Sequence, residues 1–219
     1  MPTRDELLDE ALKLTFPASD PIAVEGDVIP MKIVLFGASS IAGQRVAREA
    51  CARGHHLTVV SRMPFRYERP DPRVVVLGGD PTDAERIATA VRGFTAVVSA
   101  IDPGTEGDGR LVVQVANALI AGLARGGVQR LVVVGRAPAL DDAAEREALE
   151  RYRTSDLEWT YVSPASAAEP GVRTGKYHSR TGDEPATPPP ARISAEDLAV
   201  AVLDELEEPL NVRQRLTVG

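Results

Sequence analysis

Short Val-rich apolar runs alternating with helix-period stretches predict an α/β fold, a doubly wound parallel sheet covered by helices on both faces. Two further observations carry the same expectation. A glycine turn, "FGASSIAG", joins the first apolar run to the first helix, and glycines close this helix and two later ones at Gly54, Gly93 and Gly126–Gly127. With right-handed crossovers the strand order becomes 3-2-1-4-5-6.

The elements read in order from Lys32. "KIVLF" is a buried strand and "IAGQRVAREACARG" a helix. "HLTVVSR" and "RVVVLGGD" are the second and third strands, followed by the helix "TDAERIATAVRG". "TAVVSAI" is the fourth strand and "GRLVVQVANALIAGLARGG" a long helix. "QRLVVVG", the charged helix "DDAAEREALERYRTS" and "LEWTYVSP" complete six strands. The segment from Pro164 is rich in Pro, Gly and small polar residues, and a loop of that length in a compact domain is commonly functional. Ser194 and Asp197 predict a capping box for "AEDLAVAVLDELEE", and "RQRLTVG" a final short strand.

Composition sets bounds. The chain has 219 residues, enough for one sizeable core, with 43% hydrophobic and 26% charged residues. Two domains are read: 1–30 as an appendage and 31–219 as the α/β unit. In the appendage, "RDELLDEALKL" places Leu7, Leu8, Ala11, Leu12 and Leu14 near helical spacing, ahead of a stretch broken by Pro17, Pro21 and Pro30. It is a candidate surface for homo-oligomer formation or a protein partner. A net charge of −7 argues against non-specific nucleic-acid binding. The single cysteine, Cys51, excludes an internal disulfide and reads as a small buried side chain. No apolar run reaches the roughly 18 residues of a membrane span, and no signal peptide is read, so the expected location is the cytoplasm.

The first turn has the geometry of a dinucleotide site. Gly37 permits a sharp exit from the strand, Gly43 permits close helix–strand packing, and the amides around Ser39, Ser40 and Ile41 open a helix toward an anion. Ser40 stands where a third glycine is usual, its hydroxyl expected to face the phosphates or cap the helix. At the end of the second strand an NAD site commonly carries an acid on the ribose. Here Ser61 and Arg62 stand instead, with Arg66 close by, so NADP(H) is expected over NAD(H). Other expected cofactor contacts sit at later strand ends: Asp80 and Pro81; Ser99, Ala100 and Ile101; Gly135; Ser163 and Pro164. Asp80 can accept from the adenine amine or cap the next helix with Thr82. Ser99, Arg136 and His178 are the candidate catalytic residues. His55 and His56 fall on the opposite edge and read as structural. No histidine set has metal-ligand spacing.

Together "VLFGASSIAGQ", "VVSRMPFR", "GGDPTD", "SDLEWTYVSPA", "EPGVRTGKY" and "RISAEDLAVAVLDELEEP" resemble the atypical short-chain dehydrogenase/reductases of the NAD(P)H-binding kind. That group includes biliverdin-IXβ/flavin reductases, nitrogen-regulator-like NADP sensors and epimerase-like proteins. The resemblance implies an NAD(P)-binding Rossmann fold. It does not carry over the classical Tyr-x-x-x-Lys pair: none of Tyr67, Tyr152, Tyr161 and Tyr177 has lysine four residues on, and Tyr152 has Asp156 there. The expected activity is therefore an NADPH-dependent oxidoreductase passing hydride directly to a small flavin- or quinone-like substrate. The alternatives are a non-catalytic NADP(H) sensor and a nucleotide-sugar epimerase or dehydratase.

Overall fold

The computed structural model describes residues 29–102, 110–136, 142–182 and 192–219. The amphipathic stretch expected at residues 4–14 lies outside them. Eight strands form one sheet: β1 Lys32–Phe36, β2 His56–Ser61, β3 Val75–Gly78, β4 Ala96–Ser99, β5 Arg130–Val134, β6 Glu158–Pro164, β7 Ser179–Thr181 and β8 Gln214–Val218. Five helices accompany them: α1 Ile41–Ala52, α2 Ala84–Val91, α3 Arg110–Gly126, α4 Ala143–Arg153 and α5 Ala195–Glu207. The order is β3-β2-β1-β4-β5-β6-β8-β7. The six-strand order read from the sequence is present, extended by β8 parallel to β6 and by β7 antiparallel to β8. β7 has only three residues, too few for a readable period of two.

The strands are buried on both sides, which explains their continuous apolar runs. In β1, Ile33 and Leu35 face one cluster beneath α1 and α5, while Val34 and Phe36 face another beneath α2, α3 and α4. All four are at most 1% exposed, and each such side chain contributes roughly 1.5–3 kcal/mol of apolar burial. The β2–β3 connection carries a single short 3-10 turn, Pro64–Arg66, in place of a helix. That short link leaves open space beyond the end of β2.

Side chains start and anchor the helices. Ser40, Asp83, Asp142 and Ser194 cap α1, α2, α4 and α5 respectively. The expected capping box of α5 is half-formed. The Ser194 hydroxyl accepts from the Asp197 amide, but the Asp197 carboxylate accepts from the Thr174 and Gly175 amides and the Thr174 hydroxyl at 2.8 Å each. The long segment after Pro164 is thus tied to the α1–α5 face. Arg173 grips Glu49 through two bonds of 2.8 Å, and the Tyr177 hydroxyl donates to Asp204. Within this layer, "GVRTGKY" makes structural contacts.

Candidate functional site

The sheet reverses direction of winding between β1 and β4, and the crevice at their carboxyl ends is where ligands collect in such folds. Gly37 sits there with φ +79°, a left-handed conformation that glycine adopts freely. A side chain at Gly37 would meet the Ala100 carbonyl group at 2.4 Å, and one at Gly43 would meet the Gly37 oxygen at 2.2 Å. Both glycines are therefore demanded by packing of backbone on backbone.

Ser40 has a definite task in this turn. Its hydroxyl accepts from the Gly43 amide at 2.9 Å and donates to the Ala100 carbonyl at 2.8 Å. A hydroxyl has one proton to give, and Ala100 receives it. Of the two roles expected from the sequence, the side chain takes the capping one and also stitches α1 to the end of β4. The cap leaves the first-turn amides of Ile41 and Ala42 without an acceptor among the described residues, at the positive end of a 12-residue helix. That is an anion cradle suited to a pyrophosphate.

Beyond β2 lies a cavity of about 480 Å³, lined by the Ala38–Ser39 turn, Arg48, Ser61, Arg62, Arg66 and Arg69 among others. It occupies the space opened by the missing β2–β3 helix. Ser61 ends β2 and its hydroxyl accepts from the Met63 amide at 3.1 Å, turning the chain so that Arg62 faces the cavity. Arg48 and Arg69 were not singled out from the sequence. Arg48 was findable, because it falls seven residues after Ile41 on the same helical face as the cradle. Arg69 was not, since it sits in an irregular segment. Burial pushes the Tyr67 hydroxyl in the same wall up to about 12.

Asp80 is exposed, and its carboxylate accepts from the Thr82 amide at 2.9 Å and the Thr82 hydroxyl at 2.7 Å. These bonds hold its pKa below the ordinary value. It does not cap α2; that alternative is corrected, because Asp83 accepts from the Glu85 and Arg86 amides. Asp80 lines a second cleft of about 570 Å³ together with Val60, Leu77, Gly79 and Ile87, while Pro81 follows, half-buried.

The remaining expected residues divide. Ala100 and Ile101 sit directly against the glycine turn, and Ser99 lies buried at the end of β4 beside Tyr152 and Tyr161. Gly135 leaves β5 so close to the Tyr161 ring that a side chain there would meet it at 2.2 Å. Arg136 follows, paired with Asp142 at 3.4 Å. Ser163 is fully buried and its hydroxyl accepts from Arg215 at 3.2 Å; Pro164 is buried at the end of β6. His178 pairs through its backbone with Gly219, next to β7. β7 is four strands from β4, about 19 Å at ~4.8 Å per strand, so the expected grouping of His178 with Ser99 and Arg136 does not form.

One buried pair was invisible in the sequence. The Tyr161 hydroxyl donates to the Glu145 carboxyl, with both residues at most 2% exposed. Burial pushes the Glu145 pKa up, and burial with the adjacent carboxylate pushes Tyr161 well above its ordinary value. Sixteen residues separate them, on the consecutive elements α4 and β6, so no local spacing announces the contact. Tyr152, on the helix where a classical catalytic tyrosine would be sought, is 2% exposed and packs against Tyr161 at 6.2 Å between ring centres.

The crevice, cradle and winding define a Rossmann domain of the NAD(P)-binding class. The chain belongs to the NAD(P)H-binding family, whose sequence profile matches residues 37–209. It is 33% identical over 222 residues to the protein YwnB of Bacillus subtilis, covering 86% of this chain and 98% of YwnB. A candidate exported protein from Burkholderia pseudomallei is 36% identical with a TM-score of 0.75, over 86% of this chain and 99% of that one. A candidate NADH-flavin reductase from Streptococcus pneumoniae is 26% identical with a TM-score of 0.70, over 86% and 98%. No helix among the described residues is long and apolar enough to cross a membrane.

Proposed function

We propose that this protein is an NADPH-dependent oxidoreductase that passes hydride directly from the nicotinamide to a small conjugated acceptor of the flavin or quinone class. The observation that carries the cofactor choice is the arginine-lined cavity beyond β2. Arg48, Arg62, Arg66 and Arg69 line it against the one carboxylate of Glu68, where an adenosine ribose would present its 2′-phosphate, and β2 ends on Ser61 and not on an acid that would hold a 2′-hydroxyl. Ile41 and Ala42 amides hold the pyrophosphate. Asp80 faces the adenine, and Ala100, Ile101 and Gly135 border the path toward the nicotinamide.

Direct transfer follows from what the site lacks. Tyr152 and Tyr161 are buried, and Asp156 replaces the lysine a phenolate would need. A conjugated acceptor takes hydride without a protein acid beside it and draws its proton from solvent, so orientation of the two rings suffices. Arg136, part-exposed at the end of β5, is the group best placed to hold an electron-rich acceptor. The likeness to the Streptococcus pneumoniae flavin reductase candidate supports this reading. A cytoplasmic NADPH pool is the setting it requires.

The test is NADPH oxidation by the purified protein with a panel of flavins and quinones. Turnover above background that falls in Arg136→Ala supports the reductase. Tight NADPH binding with no turnover on any acceptor replaces it with the second reading, an NADP(H) sensor, which the burial of both candidate tyrosines favours. Arg62→Ala is expected to weaken NADP⁺ binding roughly tenfold, about 1.4 kcal/mol, and to leave NAD⁺ nearly unchanged. Equal binding of the two dinucleotides by the wild-type protein would sink the 2′-phosphate assignment.

A further inference from the structure

The sheet face shared with α2 is not covered evenly. Two rows cross it in register. Along Phe36–Val60–Leu77 exposure rises from 1% to 6% to 39%, and along Val34–Thr58–Val75 from 0% to 6% to 51%. On the opposite side Val76 is half-buried against the α1–α5 cluster, and Val74, just before β3, is 2% exposed. β3 therefore presents two large apolar side chains to the outside on a face that is core everywhere else. Alongside runs a groove. Its carboxyl half is the cleft of about 570 Å³ containing Leu77, Ile87 and Ala90, and its amino half is a cavity of about 400 Å³ containing Lys32, His56, Thr58 and Val75. The halves meet at Arg92 and Phe94, which line both.

We propose that this groove is the docking site of the chain's own amino-terminal stretch, residues 4–14, bound as an amphipathic helix. Three observations single out this occupant. The first is complementarity of shape and polarity. Leu7, Leu8, Ala11, Leu12 and Leu14 form one apolar stripe, and eleven residues of helix are ~16 Å long against ~13 Å for the four residues of β3. The second is charge. Residues 1–28 carry seven acidic and two basic side chains, while Lys32, His56 and Arg92 stand at the amino half of the groove. Asp71 and Arg73 also line the amino half, while in the other half Asp80 and Glu85 are balanced by Arg86 and Arg92, so the positive excess at the amino end draws the acidic helix there. The third is connection. Lys32 itself lines the cavity, and the 17 residues from 15 to 31 can span more than 50 Å, far beyond the ~16 Å needed to fold back. Docking would cover Val75 and Leu77 and complete the layer that α2 leaves short.

Hydrogen–deuterium exchange on the full-length chain, read by mass spectrometry, tests the assignment. Amides of residues 4–14 are expected to exchange at least about tenfold more slowly than a free peptide of that sequence, at any protein concentration. Leu8→Asp with Leu12→Asp should abolish that protection. Leu77→Asp should abolish it from the groove side, and Arg92→Glu, an exposed change that spares the core, should weaken it. Free-peptide exchange in the wild-type protein would overturn the proposal. So would protection that survives both groove variants, because the stretch would then dock elsewhere. Protection that vanishes on dilution alongside a fall from dimer to monomer mass would overturn it too, placing a second copy in the groove.

Discussion

Ser40 separates two functions that a glycine turn usually merges. Its hydroxyl caps α1 and holds the Ala100 carbonyl, so its contribution is to stability. Ser40→Ala should cost about 1 kcal/mol in denaturant unfolding while changing NADP⁺ affinity less than about twofold. A large affinity loss would mean that the hydroxyl turns to the phosphate when the cofactor arrives. Gly37→Ala combines a strained φ, worth about 1–3 kcal/mol, with contact on the Ala100 backbone, so both stability and dinucleotide binding should fall. Glu145 acts in the opposite sense to most acids. Its folded pKa is raised above the ordinary 4.5, so the folded state binds the proton more tightly than the unfolded chain. Stability is then lost as pH rises from about 4.5 toward the folded value. Glu145→Gln keeps an acceptor for Tyr161 and should gain on the wild-type protein as pH rises above about 4.5 in thermal melts.

At the scale of elements, α1, α5 and the segment 171–177 are joined by charge over an apolar contact. Glu49 is 6% exposed at its side chain and lies between Arg53 at 2.8 Å and Arg173 at 2.8 Å. Arg53 also reaches Asp204 and Glu207, and His55 bonds Glu207 at 2.8 Å while its other ring nitrogen accepts from the Met31 amide. Arg173 and Arg53 hold the Glu49 carboxyl below 4.5 against the opposing effect of burial. The sign follows: this stabilisation is present above about 4.5 and is lost as pH falls through the lower folded value. Glu49→Gln should therefore destabilise the protein at neutral pH and lose its disadvantage in acid. An equal deficit at both ends of the pH range would assign the effect to packing instead.

Across the whole molecule, charge is distributed against the average. The chain carries a net −7, yet arginines converge on the cavity beyond β2. A phosphate-bearing ligand should feel that local field, with affinity falling as salt rises. If NADP⁺ binds there, about 100 times its Kd of free ligand should add about 2.7 kcal/mol to stability. The same concentration of NAD⁺ should add clearly less. Thermal melts with each dinucleotide at low and high salt measure both effects.

The sequence by itself determined the layer order, the cofactor turn and the end of β2. Those features are local: a strand, a turn and a helix follow one another within 20 residues, and only a parallel sheet buries Val-rich runs on both faces. Arg62 was legible for the same reason, because its place is counted from the end of a strand. The tertiary structure alone decided what the remaining groups do. Ser40 could face phosphate or cap its helix until Ala100, 60 residues away, was seen to take its proton. Glu145 lay in a helix legible only as charged, and Tyr161 in the following strand, until folding buried them together. His178 fell next to a plausible motif, but strand pairing set it four strands from β4. Bonds between distant segments leave no period in the chain, since their cause is the closure of the fold and not the spacing of neighbours.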